Sequence, residues 1–261
     1  MPEKSVPLPP NILRWSIIMR NSILKLIFSA LFLSFPCAYF TAEGECVSPE
    51  NPAAAVKATD EVTSLYHAMQ LEGVVNWRAF KLAVTGYNRI KGRKREVLTL
   101  IDFSKPSTEK RLYVFDMKHR RMLYSSVVSH GKNSGGNYAT SFSNEYGSYK
   151  SSLGFYLTAS TYQGKNGYSL VLDGLEKGIN DRARERAIVV HGAAYADPSV
   201  AKRGGRLGRS FGCPALPTSV ARPIIDTIKG GSVMYIYAET PSYLAQSSIL
   251  SDSDVNVIVN Q

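Results

Sequence analysis

The sequence predicts a mainly β fold, a sandwich or barrel, preceded by a short helical segment. Three observations carry that expectation. Between residues 97 and 237, short runs rich in β-branched and aromatic side chains recur, and several alternate, as in Leu112-Tyr113-Val114-Phe115. Clusters of Gly, Ser and Asn separate these runs. The 261 residues include 20 Gly and 15 Tyr, which suit turns and strands respectively. At 44% apolar and 20% charged, the chain is globular in composition and long enough for one substantial core, which excludes a disordered or collagen-like polymer. Three cysteines are too few for a disulfide scaffold.

Residues 1–42 read as a secretory signal rather than as fold. Arg14, Arg20 and Lys25 precede an apolar run at 26–35, and Ala42-Glu43-Gly44 offers a small-residue cleavage site. The run is shorter than a membrane span, which takes roughly 20 apolar residues; an uncleaved anchor is the alternative. The formal charge is +10, and residues 1–42 hold Lys4, Arg14, Arg20 and Lys25 against Glu3, so the mature chain carries +7. That charge favours an anionic partner. Of the cysteines, Cys46 and Cys213 remain after cleavage.

Helices come next. Val62, Leu65, Tyr66 and Met69 fall on one face of a helix over 57–70. Asn76 caps a second helix, in which Phe80, Ala83, Val84 and Tyr87 repeat the pattern. It ends in Lys91-Gly92-Arg93-Lys94-Arg95, a solvated helix end; the run is too short, and too poor in aromatics, to predict nucleic-acid binding. Strands are expected at 97–103, 111–116, 122–128, 154–161, 169–172, 187–191 and 233–237. Long loops at 130–137 and 141–152 separate some of them, and loops of that length in a β domain are often functional. A late helix over 219–229 needs Pro223 in its first turn and stops at Gly230-Gly231. The domain plan is therefore a signal at 1–42, a helical segment at 43–95, a catalytic domain at 96–240 and a polar tail at 241–261 with an edge segment at 255–259.

The chemistry concentrates in His191-Gly192-Ala193-Ala194-Tyr195 and Gly208-Arg209-Ser210-Phe211-Gly212-Cys213-Pro214. The second stretch spells G-x-S-x-G, but a nucleophile elbow needs a strand before it and a histidine downstream. A loop precedes this one, and all four histidines lie upstream. Cys213 is the better nucleophile candidate, because a thiol near a basic partner becomes a reactive thiolate. His191 closes an apolar strand and is presented on a rigid scaffold. Arg206 and Arg209 are expected to lower the thiol pKa, Gly212 to let backbone approach a substrate, and N–H groups around Cys213 to bind an oxyanion. On Cys213 and His191 alone, an inert buried thiol beside an ordinary strand-end histidine is an equal alternative. One usable thiol and scattered histidines lack metal-ligand spacing, so neither metal nor cofactor is predicted.

These residues resemble a known family. His191-Gly192 with Ser210-Phe211-Gly212-Cys213 is similar to the signature of YkuD-type L,D-transpeptidases, bacterial enzymes that cross-link peptidoglycan. Residues 128–135, 142–144, 151–156 and 209–216 resemble the murein L,D-transpeptidase catalytic domain-like branch, and the likeness runs from about 97 to 237. The resemblance implies a YkuD-like β-sandwich or barrel. It implies Cys213 as nucleophile and His191 as general base, oriented by the carbonyl of Gly192 or Ala193, with Ser210 and Gly212 matching the motif's Ser and Gly. His130, Ser134, Asn144 and Arg209 are expected to line the substrate site. The chain departs from the pattern at Phe211, where many members carry His, and at Pro214-Ala215; losing that second imidazole makes His191 the cleaner assignment.

The implied activity is an exported, cysteine-dependent L,D-transpeptidase acting on peptidoglycan stem peptides through a thioester. Water as acceptor makes the same site an L,D-carboxypeptidase or endopeptidase, and a non-catalytic peptidoglycan-binding module of the same fold is the alternative class. The expected location is the periplasm or cell envelope, with membrane contact only through the signal or anchor segment.

Overall fold

The computed structural model describes residues 52–251, which belong to one unit beginning at Pro49. The signal at 1–42, Cys46 and the edge segment at 255–259 lie outside the described residues. Two helices come first, α1 (Pro52–Ala68) and α2 (Trp77–Arg89). The Asn76 side chain accepts from the Ala79 N–H at 3.1 Å, the N-cap that its position predicts. α2 buries Phe80, Leu82, Ala83, Val84 and Tyr87. Its Gly86 is bare for a reason: a Cβ there would sit 2.0 Å from the Phe155 ring. That ring in turn stacks on Tyr235, with centroids 4.1 Å apart. The helices share one core with the sheet; Val62, Tyr66 and Phe80 belong to the same apolar cluster as Leu100, Phe115 and Ile225.

The sheet has eight strands: β1 (Val97–Asp102), β2 (Leu112–Asp116), β3 (Arg121–Ser126), β4 (Gly154–Gly164), β5 (Gly167–Gly174), β6 (Val189–Gly192), β7 (Ala215–Leu216) and β8 (Val233–Tyr237). Their order is β3-β2-β1-β8-β4-β5-β6-β7. β1 runs parallel to β8 and β6 parallel to β7; the remaining pairs are antiparallel. β1 and β8 are buried throughout, so they read as continuous apolar runs rather than as alternating ones.

The two outer strands meet. The segment after β3 reaches β7 through an antiparallel bridge between Ser129 and Ala215, and touches the loop before β7 through a parallel bridge between Gly131 and Ser210. These bridges close the sheet into a barrel-like form and leave no open edge at that end.

Several expectations need correction. α4 (Thr218–Ile228) starts one residue early and places Pro223 inside the helix, where it has no N–H for the carbonyl of Ser219. The strand expected from 187 begins at Val189, because Ala187 is left-handed at φ +54° and ends the preceding turn. Residues 194–204 hold a 3-10 turn at Ala194–Ala196 and a short helix, α3 (Pro198–Gly204), that periodicity does not reveal. The expected polar tail opens with α5 (Pro241–Gln246), which buries Tyr243 and Leu244. The buried Glu176 carboxylate beside them accepts from Phe155 N–H at 2.7 Å, from the Tyr243 hydroxyl at 3.1 Å and from Ser247 Oγ. Among the described residues no helix is long and apolar enough to cross a membrane.

Arg111 is wholly buried just before β2. Its guanidinium donates to the Val128 carbonyl through Nε (3.0 Å) and Nη2 (2.7 Å), to the Lys105 carbonyl (2.9 Å) and to His130 Nδ1 (2.8 Å). It thereby pins the segment that closes the barrel. Replacing Arg111 with Met strands these acceptors and should cost about 3 kcal/mol. The measurement is a lower urea midpoint at unchanged slope; an unchanged midpoint would mean that sheet pairing alone holds the segment.

Candidate active site

Strand pairing sets the geometry of the site. β6 carries His191, and in the parallel register His191 pairs with Ala215 of β7. Cys213 lies two residues before Ala215 and so falls diagonally across from His191 and beside Val189. The Val189 N–H accordingly points at Cys213 Sγ over 3.5 Å, and Sγ lies 3.6 Å from the Ala187 carbonyl. His191, Cys213, Ser210, Arg209, Phe211, Tyr195 and Asn166 line one cavity of about 170 Å³. A larger cavity of about 530 Å³ lies against α1 and α2, lined by Glu61, Tyr87, Arg93, Glu96 and Arg120 among others, and holds no thiol or histidine.

The loop bearing Cys213 is held by its own short side chains. Ser210 Oγ donates to the Cys213 carbonyl at 2.6 Å and accepts from the Gly212 N–H at 3.1 Å. Ser151 Oγ donates to the Gly212 carbonyl at 3.0 Å and accepts from the Gly131 N–H at 3.0 Å. Gly212 sits at φ +127°, and a Cβ there would lie 2.9 Å from both Ile188 Cδ1 and the Lys150 carbonyl. The Cys213 N–H itself meets no other residue's acceptor among the described residues.

His191 is buried, and its Nδ1 lies 3.0 Å from the Gly192 carbonyl. A carbonyl only accepts, so Nδ1 carries the proton and Nε2 is left as the basic lone pair. Burial pushes the His191 pKa below its ordinary value, against the pull of that carbonyl. Burial also pushes the Cys213 thiol up, opposed by the Val189 N–H and the charge of Arg186. Both groups are therefore neutral in the resting site at neutral pH. The expectation that Arg206 and Arg209 depress the thiol is corrected. Arg206 donates to the Leu207 carbonyl and Arg209 to those of Lys132 and Gly135; Arg186 is the cation that acts on the thiol, and desolvation outweighs it.

Three expected lining residues are placed elsewhere. The His130 ring is packed edge-on to Phe103 and accepts from Arg111; burial, then the Arg111 charge, pushes its pKa down to about 4. Ser134 Oγ accepts from Ser151 N–H at 2.9 Å. Asn144 joins Asp181 at 2.7 Å and the Arg182 N–H at 3.2 Å. None lines the Cys213 cavity. Their buried polar atoms are engaged in bracing the long loops.

Sequence reasoning gives no role to Tyr195, Arg186 or Asn166. Tyr195 stands four residues after His191 in the same motif, which is signal enough. Burial, above all, pushes its phenol up to about 12. Arg186 lies under the Cys213 loop and donates to the Lys150 carbonyl at 2.7 Å; nothing in its spacing marks it. Asn166 comes from the β4–β5 turn, which only the fold brings close.

A nearly closed β barrel presenting a cysteine and a histidine in one small cavity is the class that these elements define. The chain belongs to the L,D-transpeptidase catalytic domain family, whose model matches residues 71–237 and so takes in α2 as well as the sheet. Among solved structures it is similar to an L,D-transpeptidase from Mycobacterium smegmatis, at 15% identity over 55% of this chain and 59% of that one, TM-score 0.34. It is similar to the helical cell shape determining protein from Campylobacter jejuni, at 13% identity over 61% and 56%, TM-score 0.39. A third is the L,D-transpeptidase from Stackebrandtia nassauensis, at 12% identity over 69% and 77%, TM-score 0.33. The chain spans under two thirds of the length of the first two. No curated protein sequence matches it.

Gly212→Ala should cost about 1–3 kcal/mol for the backbone conformation alone, and more for the two contacts. Thermal unfolding should show the loss, and thiol labelling should change with it. A variant with wild-type melting would mean that the loop relaxes freely.

Proposed function

We propose that this chain is an exported L,D-transpeptidase that acts on peptidoglycan stem peptides through a Cys213 thioester. The observation that carries the reading is the shared cavity of Cys213 and His191, with His191 Nδ1 tied to the Gly192 carbonyl. Substrate enters a site whose thiol and imidazole are both neutral. His191 Nε2 takes the thiol proton as Sγ attacks the carbonyl of the residue preceding the terminal D-residue. The oxyanion is met by the Cys213 N–H, with the Tyr195 hydroxyl as a second donor on the cavity wall. Collapse breaks the amide bond, and His191 returns the proton to the departing amine. An amine from a second stem then attacks the thioester and releases Cys213. The lining residues include no carboxylate and one permanent cation, Arg209, which suits a peptide ending in a free carboxylate.

Mass spectrometry of the purified protein with stem tetrapeptides should show a covalent adduct that Cys213→Ala abolishes. His191→Ala should slow its formation by about 10²–10⁴. Activity needs His191 neutral, so it should fall as pH drops through the His191 pKa, giving an acid limb below the free-imidazole value of about 6.5. An acid limb above that value would contradict the buried, neutral base. Absence of any adduct would make the chain a binding module of the same fold.

Export is tested separately. The mature chain is expected to start between Glu43 and Glu45. Arginines in place of Leu31 and Leu33 should trap the precursor, since each costs roughly 2.5–3.5 kcal/mol on insertion. N-terminal sequencing of the exported protein that returns Met1 or Met19 would replace the signal by an anchor.

A further inference from the structure

The cysteine–histidine chemistry leaves an aromatic ledge beside the cavity unused. Phe211, two residues before Cys213, is 66% exposed, and Tyr149 is 41% exposed. Their rings touch, with centroids 4.8 Å apart and planes inclined at 48°. The Lys132 ammonium lies over both, 4.2 Å from the Tyr149 centroid and 4.7 Å from that of Phe211. Among the described residues that ammonium has no carboxylate partner and no hydrogen bond. The three side chains hold one another in place, with part of each ring exposed beside the ammonium.

The backbone points the same way. Tyr149 is left-handed at φ +53°, a conformation costly for a bulky side chain. The surroundings enforce it. The Tyr149 carbonyl accepts from the Asn133 N–H at 3.2 Å, and a Cβ on Gly131 would lie 2.5 Å from that same carbonyl. Gly or Asn would occupy this position with less strain, yet an exposed tyrosine stands there. The ledge is tied to the site as well: the Lys132 N–H donates to the Ser210 carbonyl at 2.8 Å, and Arg209 donates to the Lys132 carbonyl at 3.0 Å.

Size separates the roles of cavity and ledge. At about 170 Å³ the cavity is smaller than pockets enclosing one drug-sized ligand, roughly 300–1,000 Å³. The cavity opens to solvent, so a second stem that reaches Cys213 has room on the surface at its mouth. Phe211 belongs both to the cavity wall and to the ledge, which puts the ledge at that mouth.

We infer that Lys132, Tyr149 and Phe211 form the acceptor subsite, binding a second stem peptide by the aliphatic part of a side chain on the rings and by a free carboxylate on the ammonium. This rests on the proposed thioester chemistry. Held there, the acceptor amine attacks the thioester carbonyl. A C–N bond forms, the C–S bond breaks, the amine proton passes to His191, and the Cys213 thiolate takes it back. Water attacking in place of the amine gives hydrolysis, so the ledge decides how the thioester is divided between cross-linking and hydrolysis.

The test uses the mature protein, a stem tetrapeptide donor and two acceptors, one with a side-chain amine near a free carboxylate and its carboxamide twin. Intact-protein mass spectrometry reads acylation, and product analysis reads the ratio of cross-linked to hydrolysed donor. Tyr149→Gly should keep the fold and the acylation rate while lowering that ratio roughly five- to tenfold. Lys132→Gln should lower it for the carboxylate acceptor and leave the carboxamide acceptor unchanged. A wild-type ratio in both variants, or an equal loss with both acceptors in Lys132→Gln, would overturn the assignment. So would loss of acylation with an unchanged ratio, because the ledge would then serve the donor. No adduct in the wild-type protein would instead overturn the thioester reading itself.

Discussion

Arg111 is a guanidinium taken wholly out of water with no carboxylate in contact, and the closed end of the barrel is organised around it. Desolvation pushes its pKa down to about 9, with the charge of Asp102 opposing, so it stays protonated at neutral pH. A buried cation is tolerated only if its N–H groups find acceptors. It finds them in the carbonyls of Lys105 and Val128 and in the His130 ring. Fixing Val128 and His130 also fixes the backbone beside them. The Ser129 N–H reaches the Ala215 carbonyl at 2.8 Å, and the Ser210 N–H reaches the His130 carbonyl at 2.9 Å. Ser210 in turn holds the Cys213 carbonyl. The path from a buried charge to the candidate nucleophile is thus a few hydrogen bonds long, each between groups whose neighbours are already fixed.

The same desolvation shapes the chemistry. A site built to store a thiolate would surround it with cations and N–H donors. Here the Val189 N–H, the charge of Arg186 and the N–H of Cys213 itself oppose burial, and burial prevails. The resting pair is therefore a thiol and an imidazole rather than an ion pair. In the proposed mechanism such a site is quiet toward small electrophiles until a substrate carbonyl arrives and His191 takes the thiol proton. It gives up some intrinsic nucleophilicity and gains resistance to adventitious oxidation, since oxidation follows thiolate character.

Legibility in the sequence tracks the strength of local signals. Asn76, the Phe80–Tyr87 face and the strand of Leu112–Phe115 are legible because capping and periodicity are local properties. His191 and Cys213 are legible as a pair because of their motifs. The roles of His130, Ser134 and Asn144 are not. A polar residue in a Gly/Ser/Asn loop looks the same whether it faces substrate or satisfies a buried partner, and these three satisfy Arg111, Ser151 and Asp181. Arg186 and Asn166 become visible only when β6 and the β4–β5 turn are brought to the Cys213 loop. Pro223 misleads about the start of α4 because packing of Ala221, Ile224, Ile225 and Ile228 sets that start, not the proline.

Backbone strain gives an independent view of where function sits. Among the described residues four other than glycine have positive φ: Gln70, Arg120, Tyr149 and Ala187. Gln70 comes after the end of α1, and Arg120 lies in the turn between β2 and β3, where left-handed residues are ordinary. The other two lie beside the Cys213 loop. The Ala187 carbonyl lies beside Cys213 Sγ, and Tyr149 carries the ring that meets Phe211. Gly212, at φ +127°, stands between them in space, next to Arg186 and the Lys150 carbonyl. Local conformational rules are broken at one end of the barrel and kept elsewhere. That is the distribution expected when strain is retained for the sake of the groups it positions. It puts the Tyr149 turn beside the Cys213 loop, where the proposed acceptor subsite lies.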